Sequence, residues 1–68
     1  MKPGVPDLCI PVAKKGFHGL YIEMKKERGG SLTQHQINWL DLLNAEGYKA
    51  VCCHGSEKAI QVIEDYFG

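Results

Sequence analysis

The hydrophobic period of this chain changes partway along, and that change restricts the folds open to it. In the run Leu-Tyr-Ile-Glu-Met-Lys, residues 20–25, the side chains of Leu20, Ile22 and Met24 fall on one face of an extended strand. Tyr21, Glu23 and Lys25 fall on the other, so Glu23 and Lys25 project from the same side. By residues 37–43 the apolar positions have moved to helical spacing: Ile37, Leu40 and Leu43, flanked by Trp39 and Leu42, form a broad apolar face. A strand followed by an amphipathic helix predicts an α/β domain in which the helix covers a sheet.

The remaining segments extend this pattern. The opening "MKPGVP" is a turn or extended lead-in, and "DLCIPV" is a short strand in which Pro11 marks an edge, a bulge or the strand end. "AKKGFHG" predicts a hairpin loop, and "KERGG" a charged connector. A capping box fits either Thr33 with Gln36 or Ser31 with Gln34, and Gly47 is a natural stop for the helix. "YKAVCC" predicts a third strand. Ser56 is the expected N-cap of a closing helix, "EKAIQVIEDYF", with Ala59, Ile60, Ile63 and Phe67 turned inward. The order strand, strand, helix, strand, helix predicts a small mixed sheet flanked by helices. The third strand is reached through a right-handed crossover. With 68 residues the core is thin, and self-association is expected.

Composition excludes several classes. No run approaches the roughly 20 apolar residues of a membrane span, and the start has no secretory signal pattern. Cys9, Cys52 and Cys53 are odd in number and lack C-x-x-C spacing, which argues against a disulfide framework and a structural zinc site. Reduced thiols in a cytoplasmic protein are the expectation. The formal net charge is zero, but Lys14, Lys15, Lys25, Lys26 and Arg28 fall in the first half, and Asp41, Glu46, Glu57, Glu64 and Asp65 in the second. That division suits an anionic partner on one side or two solvated surfaces, and charge alone favours the second.

Asp7 stands at the mouth of the first strand and Glu23 near the end of the second. Matched ends of hairpin strands approach closely, so the two carboxylates can converge. Such a pair suits a hard divalent cation, Mg²⁺ or Mn²⁺. Lys25 adds a positive charge beside them, and two acids with a lysine are a minimal apparatus for phosphodiester hydrolysis. On these three residues alone, a solvated Glu-x-Lys face and a Pro-Asp turn explain the pattern better.

The ordered set is more specific than its parts. "GVPDL", a loop, "LYIEMK", a polar linker, "LTQHQINWLDLLNAEGYKAVCC" and "GSEKAIQVIEDYF" together resemble the virus-type replication-repair nuclease family (VRR-NUC) of the PD-(D/E)xK nuclease superfamily. The likeness runs over nearly the whole chain, with Pro-Asp, Glu-x-Lys, Gln-x-x-Trp and Gly-Tyr in that order. It implies a minimal restriction-endonuclease-like core and a metal-dependent DNA endonuclease. Asp7 and Glu23 would ligate Mg²⁺ or Mn²⁺ with the backbone carbonyl of Met24. Lys25 would position the attacking water or stabilise the phosphate, and Gln36 would contact water or phosphate from the helix. Short members of the family resemble Holliday junction resolvases acting as homodimers on branched DNA, here in a bacterial or phage-infected cell. The family usually carries a helix before Pro-Asp with a Glu facing the metal. A single domain over residues 1–68 without that helix is expected to have weaker metal affinity and an uncovered flank.

A catalytically weak or inactive nuclease-fold module that binds DNA or protein is the alternative, and a small interaction domain unrelated to nucleic acid is a third. Gln36 serves equally well as the capping partner of Thr33. Trp39 is expected in the core or a dimer contact. His18, His35 and His54 are read as exposed or loop residues, and Cys52 and Cys53 as small apolar filler. Lys14, Lys15, Lys26 and Arg28 are the candidate DNA-backbone contacts. No module for reading base sequence is present.

Overall fold

The computed structural model describes residues 4–68, so residues 1–3 of the proline-rich lead-in lie outside the described residues. The chain forms β1 (Leu8–Ile10), β2 (Leu20–Lys25), α1 (Gln34–Ala45), β3 (Lys49–His54) and α2 (Ser56–Phe67). This is the expected order. The sheet runs β1-β2-β3, with β2 central, antiparallel to β1 and parallel to β3. A parallel neighbour requires a crossover, and α1 provides it.

Local chemistry sets the element ends. β1 stops at Ile10 because Pro11 has no N–H to offer a ladder. The loop that follows contains a tight turn in which Lys14 and Phe17 exchange backbone hydrogen bonds of 3.2 and 2.8 Å. Lys15 and Gly16, its central residues, both have positive φ, as a primed hairpin turn demands. At the start of α1, the Thr33 hydroxyl accepts the Gln36 backbone N–H at 3.2 Å and the Gln36 side-chain Oε1 accepts the Thr33 backbone N–H at 2.9 Å. The capping box is therefore Thr33 with Gln36, and Ser31 lies outside it. The helix ends in a Schellman motif: Tyr48 N–H donates to the Leu43 carbonyl and Gly47 N–H to that of Asn44. Gly47 has φ 94°, and a Cβ there would stand 2.7 Å from the His18 ring, so conformation and packing both require glycine.

The helices cover opposite faces of the sheet. On one face Leu20, Ile22 and Cys53 pack with Ala59 and Tyr66 of α2. On the other, Ala50 packs with Leu40 and Leu43 of α1, joined by Tyr21, Trp39, Tyr48 and Cys52. Two details differ from the sequence expectation. The N-cap of α2 is Gly55, with no side-chain cap bond, and Ser56 is the first helical residue. Ile60 is 55% exposed and Phe67 also lies outside, while Tyr66 is buried in their place. At 100° per residue, Ala59, Ile63 and Tyr66 centre the stripe that a narrow three-stranded sheet can cover, and Ile60 and Phe67 fall to its rim. Ile37 and Leu42 are rim residues of α1 for the same reason.

Asn44 joins α1 to β3. Its Nδ2 donates to the carbonyls of Leu40 and Ala50 at 2.9 and 3.0 Å, and its Oδ1 accepts the Ala50 N–H at 3.0 Å. Ala50 is buried, so truncation strands its backbone groups. Asn44→Ala is expected to cost about 2–3 kcal/mol, read as a shift in the urea unfolding midpoint at unchanged slope.

Candidate active site

The site forms where the ends of β1 and β2 meet the first turn of α1. Gly4 (φ 90°) lets the N-terminal segment run against the backbone of His35, where a Cβ would come within 2.6 Å of the carbonyl carbon. That close approach pins the segment leading to Asp7 against the start of α1. The last ladder pair between β1 and β2 at this end is Leu8 with Ile22. Asp7 extends the pairing with its side chain, its Oδ2 accepting the Met24 N–H at 2.9 Å. The N–H and C=O of a strand residue share an edge, so the Met24 carbonyl faces the Asp7 side as well.

Glu23 projects from the α1 face of the central strand and is 3% exposed. Gln36 lies one turn ahead of Leu40 on the buried stripe of α1, and its Nε2 donates to Glu23 Oε2 at 3.1 Å. Lys25 Nζ stands 3.9 Å from the same oxygen. Glu23 Oε1 is buried and has no hydrogen-bond partner. Burial, and then the Asp7 carboxyl beside it, hold the Glu23 carboxyl above its ordinary pKa, with Lys25 and the Asp7 backbone pulling partly back. A buried carboxylate oxygen facing a second carboxylate is an electrostatic deficit that a cation relieves. Among the described residues no group of three or more His, Cys, Asp and Glu side chains is placed to hold a metal. Two carboxylates with a carbonyl still suit Mg²⁺ or Mn²⁺, since Mg²⁺ usually keeps several waters and takes further oxygens from phosphate.

The structure thus brings Asp7, Glu23, Lys25, Gln36 and the Met24 backbone together. It separates the basic residues into two groups. Lys26 and Arg28 are exposed just after Lys25, at the site's end of the sheet. Lys14 and Lys15 lie in the loop that leads into the other end of β2, whose first residue, Leu20, is already about 10 Å along the strand from Glu23 at 3.3 Å per residue. There Lys15 Nζ donates to the Asp65 carbonyl at 2.6 Å and Lys14 Nζ stands 5.9 Å from the Phe67 ring centre, an arrangement that satisfies the C-terminal end of α2. A hollow of about 170 Å³ at the start of α2 is lined by Glu27, His54, Gly55, Ser56, Glu57 and Lys58, apart from the carboxylate pair.

One neighbour of the site was not legible in the sequence. Cys52 pairs with Glu23 across β2 and β3, which puts its thiol on the same face. Burial and the Glu23 charge raise its pKa, so it is a thiol rather than a nucleophilic thiolate. Only the parallel register, fixed by the crossover, reveals that pairing. His54 is held by the Gly30 carbonyl, 3.0 Å from its Nε2, and His18 packs edge-on against Tyr48.

A central strand bearing Glu-x-Lys under a covering helix, with an Asp at the mouth of the neighbouring strand, is the arrangement of the PD-(D/E)xK nuclease fold. The chain belongs to the VRR-NUC domain family, whose model matches residues 1–57. A solved structure described as "VRR_NUC domain protein" is 40% identical and superposes with a TM-score of 0.95. The match covers 98% of this chain and 55% of that one, so this chain spans about half the length of that protein. No curated protein matches the chain.

Proposed function

We propose that this chain is a Mg²⁺- or Mn²⁺-dependent DNA endonuclease that hydrolyses phosphodiester bonds in branched DNA, in the manner of a Holliday junction resolvase. The observation that carries the proposal is the buried, unpartnered Oε1 of Glu23 beside Asp7, under Lys25 and Gln36. Asp7, Glu23 and the Met24 carbonyl would hold the cation. When bound there, it supplies charge to neutralise a phosphate oxygen and to acidify a water.

The chain's own residues do the rest. Lys25 keeps a fixed positive charge at the carboxylate pair and is placed to orient a water or to bind the oxygens of the phosphate undergoing attack. Gln36 holds Glu23 in one orientation and offers an amide beside it. Lys26 and Arg28 bind the DNA backbone near the cut, and Lys14 and Lys15 a more distant stretch. A homodimer presents two sites to the two symmetric strands of a four-way junction. Leu8, Val12, Ile60 and Phe67, all exposed, supply apolar surface for a second copy. The expected setting is the cytoplasm of a bacterial or phage-infected cell. Among the described residues no helix is long and apolar enough to cross a membrane.

Cleavage of a labelled four-way junction, with linear duplex as control, tests this directly. In Mn²⁺ the wild type is expected to give paired symmetric nicks, lost in EDTA and reduced at least about a hundredfold in Lys25→Ala. Junction binding without cutting under any divalent metal would instead identify a nuclease-fold DNA-binding module.

A further inference from the structure

The amide of Gln36 has two chemically different ends, and the structure uses both. Its Oε1 accepts the Thr33 backbone N–H at 2.9 Å, and its Nε2 donates to Glu23 Oε2 at 3.1 Å. The helix backbone beneath it is fixed by the Thr33 hydroxyl, which accepts the Gln36 N–H. With Oε1 held by an N–H donor, only the NH₂ group can face Glu23, because the reversed amide would set oxygen against carboxylate oxygen. The same bond orders the side chain at an otherwise exposed helix start. A capping box accepts Glu or Gln equally at this position. Glu at position 36 would keep the cap but press a second carboxylate on Glu23, so the choice of Gln answers to the site rather than to the helix.

We infer that Thr33 is a positioning residue for the metal site. Through its backbone N–H it fixes the Gln36 amide, which holds Glu23 Oε2 and leaves the buried Oε1 free for a ligand. The inference rests on the nuclease function proposed above and extends its machinery to a residue that touches neither metal nor DNA.

Thr33→Pro removes both the hydroxyl and the N–H, and the Thr33 φ of −78° accommodates proline. Thr33→Ser keeps both. Calorimetric titration of the full chain with Mn²⁺ is expected to show affinity reduced about tenfold in Thr33→Pro and unchanged in Thr33→Ser. In a Gln36→Ala background, Thr33→Pro should add no further loss, because the relay is already broken. An equal loss in both backgrounds, or wild-type affinity in Thr33→Pro, overturns the role of Thr33. Glu23→Gln is the control for the site itself: if wild type fails to bind Mn²⁺, or Glu23→Gln binds equally well, the nuclease function falls and the inference falls with it.

The metal-free wild type gives a second readout that does not depend on any variant folding. Side-chain amide signals in ¹H–¹⁵N spectra should show Gln36 shifted and slow to exchange relative to the glutamine amides of the urea-unfolded chain. A Gln36 amide that exchanges as fast in the folded chain as in the unfolded one overturns the inference.

Discussion

Glu23→Gln is expected to abolish metal-dependent cleavage, by about a thousandfold or more, without weakening the metal-free fold at neutral pH. The two effects have one origin. Glu23 is a buried acid with an unpartnered oxygen, and its carboxyl is held above its ordinary pKa first by burial and then by Asp7. The folded chain therefore binds that proton more tightly than the unfolded chain does. The stability Glu23 contributes is greatest below the ordinary Glu range and is lost as pH rises through the raised value. Glutamine removes the titration. Thermal unfolding in EDTA should place Glu23→Gln level with or above wild type at neutral pH, the difference narrowing or reversing in acid. Adding Mn²⁺ at a hundred times its dissociation constant should then stabilise wild type by about 2.7 kcal/mol and leave Glu23→Gln unmoved. A metal-free wild type markedly more stable than Glu23→Gln at neutral pH would show that the carboxylate serves the fold, against the assignment made here.

The largest effect on stability is expected at Tyr66. It is 2% exposed, its ring packs with Leu20, Ile22, Cys53 and Ala59, and its hydroxyl donates to the Val12 carbonyl at 2.6 Å. It thus ties the C-terminal helix to the loop that leaves β1. Tyr66→Ala is expected to cost about 3–5 kcal/mol, a large share of the roughly 3–10 kcal/mol that a domain of this size has in total. Tyr66→Phe keeps the ring and loses only the hydrogen bond, for about 1 kcal/mol. Urea unfolding of the pair separates packing from hydrogen bonding. A Tyr66→Ala protein as stable as Tyr66→Phe would remove Tyr66 from the core.

Most of the fold is legible because each element carries a local signal. The alternation of Leu20 to Lys25 marks the central strand, and the Thr33 box and Gly47 bound the crossover helix. Pro-Asp and Glu-x-Lys point to the candidate site because both chemistry and order are written in the chain. The inward face of α2 was harder to read. Ile60 and Phe67 are as apolar as the residues that are buried, and a helical stripe alone cannot say how much of it a three-stranded sheet will cover. Tyr66 prevails because its hydroxyl finds an acceptor across the molecule, a contact 54 residues away in sequence.

The sequence by itself determined the order of elements, the Gly47 stop of α1 and the candidate acids and lysine, since these depend on neighbours a few residues apart. It left two capping boxes open for α1 and placed the α2 cap one residue late. Only the tertiary structure decided that Cys52 lies across from Glu23, that Lys14 and Lys15 stand at the far end of the sheet, and that one oxygen of Glu23 is buried without a partner. Those facts follow from parallel register and burial, which arise when distant segments pack and have no signature within any one of them.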